Sequence, residues 1–84
     1  MSPSEQAQFL AATQRLLTLQ PQVKSVGEAA VLEASVVKAE EPREARAYSR
    51  ALSSHYDMLS RLHAELAELT TRMAAALDSQ CEDE

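Results

Sequence analysis

A lone cysteine, Cys81, allows no internal disulfide, so nothing in the sequence marks an oxidising compartment. Tryptophan and asparagine are absent, and phenylalanine and tyrosine together contribute three side chains. A core of bulky aromatics is thereby excluded. No stretch approaches the roughly 18–20 consecutive apolar residues of a membrane span. Met1 is followed by polar residues rather than an apolar core, so no secretory signal is read. With one glycine, there is no phosphate-cradling loop and no Gly-x-Ser-x-Gly elbow. The expected location is cytoplasmic or another reducing intracellular compartment.

What is present is helix-forming: abundant Ala, Leu, Glu, Gln and Arg in 84 residues, enough for one domain. A chain this small buries a modest fraction of its surface. Ala adds little to that burial, so stability is expected to depend partly on self-association or a partner. Net charge is −5, which disfavours nucleic acid as a ligand. The acidity gathers in Glu82, Asp83 and Glu84, whereas residues 42–79 balance. Residues 80–84 read as an acidic flexible tail.

Helix boundaries are legible. Ser2 and Glu5 have the spacing of a capping box, and Pro3 fits the first helical position. Phe9, Ala12, Leu16 and Leu19, flanked by Leu10, Ala11 and Leu17, form one wide apolar stripe. Pro21 removes an amide donor and crowds the preceding turn, so the spacing predicts a break or kink there. Ser25 and Glu28 offer a restart, and Val31, Val36 and Val37 lend that segment some strand character beneath a dominant helical one. Residues 38–41 read as a turn, with Pro42 opening a second helix of about 42–79.

That second helix carries an unbroken 3-4 run: Ala45, Tyr48, Leu52, His55, Leu59, Leu62, Leu66, Leu69, Met73 and Ala76. Burying each Leu of the run is worth about 1.5–3 kcal/mol, so the seam is expected to be covered. Its flanks lack the matched charge pairs of a parallel zipper and instead add Ala51, Tyr56, Met58 and Leu77. A face that broad calls for two neighbouring helices. The predicted fold is therefore a single all-α domain, an antiparallel helical hairpin with its first arm broken or kinked near Pro21. A three-helix or oligomeric bundle is the alternative.

Candidate functional residues are weighed against plainer roles. His55 is the one polar member of the seam; it can set register or respond to pH, but a hydrogen-bonded ring at the seam edge is the simpler reading. His55 and His63 are eight residues apart, about 12 Å along a helix, so they cannot share a metal. Arg43, Arg46 and Arg50 fall on one stripe that could hold an acidic partner segment, but a solvated face partly neutralised by Glu40, Glu41 and Glu44 is the simpler reading. No nucleophile, base and orienting group stand together.

These observations point to a non-enzymatic protein–protein interaction module, a structural or adaptor subunit with no cofactor, no metal and no small-molecule substrate. Its partner is another protein or a second copy, engaged by helix packing without nucleic acid or membrane. The expected partner-binding residues are Leu52, Tyr56, Met58, Leu59, Leu62, Leu66, Leu69 and Met73. The alternative is a small acidic helical chaperone or co-chaperone that escorts one client. In architecture the outline resembles the helical-hairpin co-chaperones of type III secretion needles and short coiled-coil subunits of complexes such as dynactin. No residue motif ties the chain to either.

Overall fold

A computed structural model describes residues 2–39 and 41–82. Two helices make up the fold, α1 (Pro3–Ala39) and α2 (Pro42–Glu82), packed as a hairpin. Their order is antiparallel. Arg15, early in α1, pairs with Glu65, late in α2; Glu33, late in α1, pairs with His55, earlier in α2. The rod measures 63 × 16 × 14 Å. Its length is that of α2 alone, since 41 residues rising 1.5 Å each span about 62 Å.

Both helices begin as expected. The Glu5 amide donates to Ser2 Oγ at 3.2 Å, and the Gln6 amide to the Ser2 carbonyl at 2.9 Å. At the second start, the Ala45 amide donates to the Glu41 carbonyl at 2.8 Å, with Pro42 in the first turn where no donor is missed. α2 runs three residues beyond the expected end. Residues 80–82 of the expected tail are therefore helical, and Asp83 and Glu84 lie outside the described residues.

Of the break or kink expected at Pro21, a break does not occur, and the described residues form a two-helix hairpin rather than a three-helix bundle. α1 is one helix through Pro21, and Ser25 lies inside it rather than capping a new one. The inward positions of α1 give the reason. Glu5, Phe9, Ala12, Leu16, Leu19, Val23, Val26, Ala30, Glu33 and Val37 are all buried or half-buried. They follow one 3-4 rhythm whose phase does not shift at Pro21. In that frame Pro21 occupies the position farthest from α2, and it is exposed. The lost hydrogen bond belongs to the carbonyl of Leu17, a residue 60% exposed, on the solvent-facing side where water can replace the donor. Outer-face hydrogen bonds are also the ones that lengthen as a helix curves around its neighbour.

The core is thin. Ala12, Leu19 and Leu69 are its buried cluster, with Leu16, Leu62, Leu66 and Met73 half-buried against it. Ala30 is buried separately, nearer the turn. Among the described residues Leu19 is the single large side chain that is fully buried.

Candidate protein-interaction surfaces

The α2 seam faces α1. Nine of its ten positions are buried or half-buried; Tyr48, near the turn, is the exposed one at 39%. Of the eight residues expected to bind a partner, Leu62, Leu66, Leu69 and Met73 pack against the hairpin's own core. Leu52 and Leu59 are half-buried on the same line. Tyr56 and Met58 lie on opposite flanks of the seam and are exposed, as is Leu77. One neighbouring helix thus covers the seam, and the added width is left in solvent.

Among the described residues the most exposed large apolar side chains lie on α1. Leu10, Leu17, Val31 and Leu32 are 57–68% exposed. Sequence reasoning had merged Leu10 and Leu17 with Phe9 and Leu16 into one stripe. The structure splits them: Phe9 and Leu16 turn inward, Leu10 and Leu17 outward. Leu10, Leu17, Lys24 and Val31 recur every seven residues and form a line along the back of α1, with Leu32 beside it. Below Lys24 and Val31 the surface is hollowed at Gly27, where a Cβ would meet nothing within 4 Å. The signal was present in the sequence as the spacing 10–17–31, but Pro21 obscured it by suggesting that the phase was reset.

A second concavity lies between the helices toward their open end, with Phe9, Ala11, Ala12, Leu69, Ala75 and Ala76 along it. Four alanines, Ala11, Ala12, Ala75 and Ala76, share its walls with the polar side chains of Glu5, Gln8, Arg15, Glu65 and Arg72. Arg15 bridges its rim to Glu65, with Nε to Oε1 at 3.0 Å and a second contact at 3.3 Å. Both side chains are more than one-third exposed, which limits the pair to about 0.5 kcal/mol. Arg72 pairs with Glu68 one turn back on the same helix.

His55 has a partner that the sequence did not announce. Its Nδ1 lies 2.7 Å from Glu33 Oε2, and the two side chains are 30% and 19% exposed. Both occupy inward seam positions, so the polar irregularity of α2 is met by one in α1. This is the hydrogen-bonded edge histidine, as the simpler reading had it. Glu33 lies beyond Pro21, where an expected break leaves the helical phase open in the sequence. His63 is exposed, as are Arg43, Arg46 and Arg50. At the open end, the Ser79 hydroxyl of α2 and then Ser2 favour the ionised Glu5 carboxylate and lower its pKa below 4.5.

Comparison with known proteins adds no relative. No family model, curated protein or solved structure matches this chain. Function must therefore be argued from the surface itself. No helix among the described residues is long and apolar enough to cross a membrane.

Proposed function

We propose that the chain is a non-enzymatic helical interaction module, a structural or adaptor subunit that is completed by docking another helix-bearing surface. The observation that carries this reading is exposed surface in excess. A compact monomer of 9.2 kDa exposes about 4,900 Å². This hairpin exposes 6221 Å², a surplus of about 1,300 Å² over that scaling. Part of the surplus is the cost of a rod, but the back of α1 is not the polar surface a solitary rod needs. Leu10, Leu17, Val31 and Leu32 remain in water there. Large apolar side chains left exposed along one helix face are a feature of protein-binding surfaces.

The competing reading is a small chaperone or co-chaperone whose client lays a helix on the hairpin. The concavity near Phe9 and Leu69, with four alanines among its walls, favours it, since small residues admit a close helix. The two readings differ in what happens without a partner: the chaperone is monomeric and soluble alone, with a single client that covers it.

The test is recovery of tagged wild-type chain and of a Leu17→Asp/Leu32→Asp variant from the native cell, with stoichiometry read by native mass spectrometry. The wild type is expected in a complex of fixed stoichiometry. The variant is expected to be recovered free, with an unchanged helical circular-dichroism spectrum. Both chains recovered as folded free monomers would overturn the reading.

A further inference from the structure

We infer that the occupant of the α1 back is a second copy of this chain, crossing antiparallel near Gly27. The inference rests on the interaction-module reading above and names its partner. Three observations carry it.

The first is area. A stable interface takes about 800 Å² from each partner. One side of a rod 63 Å long and 16 Å wide offers that area without opening the hairpin. The second is charge. The chain is acidic overall, yet the α1 back is nearly neutral, with Lys24, Glu28 and Lys38 as its charged side chains. Copies meeting back to back therefore bring no acidic surfaces together.

The third is register. Leu10, Gln14, Leu17, Pro21, Lys24, Glu28, Val31 and Ser35 form an outward 3-4 run of their own, opposite the seam. A parallel pairing places Lys24 on Lys24 and Glu28 on Glu28. An antiparallel pairing centred between residues 24 and 28 places Lys24 of each copy on Glu28 of the other. Val31 then meets Pro21, and Lys38 meets Gln14, with no like charges opposed. Gly27 and Ser25, two of the smallest residues of α1, fall at the crossing. They flank the outward line and leave room beside the two Lys24–Glu28 pairs.

The experiment measures mass by light scattering across a dilution series of the full chain. Wild type is expected as a dimer that dissociates on dilution. Val31→Asp, an exposed position, is expected to keep its helical spectrum and to raise the dimer dissociation constant tenfold or more. Lys24→Glu and Glu28→Lys each oppose like charges across the crossing, so each alone is expected to weaken the dimer. Mixed in equal amounts, they are expected to form a heterodimer with wild-type-like affinity, visible by native mass spectrometry. Wild type that stays monomeric at every concentration overturns the second copy as occupant, while the interaction-module reading keeps its own test. A dimer indifferent to Val31→Asp and to both charge variants overturns the α1 back as its seat.

Discussion

α1 and α2 are close in length and opposite in character. Among the described residues α1 has six Asp, Glu, Lys or Arg residues in 37 positions and α2 has eleven in 41. α2 is a conventional amphipathic helix. Its large apolar residues lie on or beside the seam, and its outer face holds Arg46, Arg50, Asp57, Arg61, Glu68 and Asp78. α1 keeps an inward seam and a second apolar line on its back. A helix that is apolar on two faces belongs between two layers, and the hairpin supplies one. The contrast separates two placements of the same residue type: Leu19 is fully buried in the fold, whereas Leu17, two residues earlier, is left 60% exposed.

The largest effect should come from the inward face. Leu19→Ala is expected to cost about 3 kcal/mol, most of the stability of so small a domain, as measured by urea unfolding. Leu17→Ala is expected to stay within about 0.5 kcal/mol under monomeric conditions. Comparable losses from both would erase the distinction between the two faces. The same logic on α2 makes Leu62→Asp far more damaging than Arg61→Asp.

Pro21→Ala is the next most informative change. If α1 is one helix, restoring the amide donor should stabilise it by about 1–3 kcal/mol in the same unfolding experiment. Little or no gain would mean that the arm divides at Pro21. His55→Ala leaves the Glu33 carboxylate half-buried without its cross-helix partner, and is expected to cost about 1–2 kcal/mol. A loss no greater than that of His63→Ala, on the exposed side, would show that the pair contributes nothing.

Gly27→Ala adds a Cβ into open space. It is expected to raise hairpin stability by up to about 1 kcal/mol at concentrations where the chain is monomeric. A loss of stability would show a contact at Gly27 within the hairpin. The smallest effect is acid sensitivity at the open end. Glu5 titrates below its ordinary value because Ser79 and Ser2 favour the carboxylate. Its contribution is therefore complete above about pH 4.5 and lost as pH falls through the lower folded-state value. Melting temperatures at pH 6 and pH 3 should differ slightly less in Glu5→Gln than in wild type.

Much of the fold was legible because helix signals are local. Ser2, Pro3 and Pro42 marked both helix starts, and the Ala45–Ala76 rhythm marked the inward face of α2 residue by residue. Pro21 misled because its penalty depends on which way it points. On the inner face it would leave a carbonyl without donor or water, whereas on the outer face solvent replaces the donor. Continuing the count from Leu19 through Val23, Val26, Ala30, Glu33 and Val37 would have revealed an unshifted phase, the Glu33 partner of His55 and the outward line of Leu10, Leu17 and Val31. Which apolar face the hairpin leaves exposed was the least legible part. Of the residues chosen on α2, four were already committed to the hairpin's own core.

By itself, the sequence determined that the chain is helical, where its helices begin, and which face of α2 turns inward, since caps and periodicity act within a few residues of the chain. Only the tertiary structure decided that α1 runs unbroken through Pro21 and that its back, rather than the α2 seam, stays exposed. Burial is a property of pairs of surfaces. Two apolar stripes on separate helices look equally sticky in sequence until one of them is covered by the other helix.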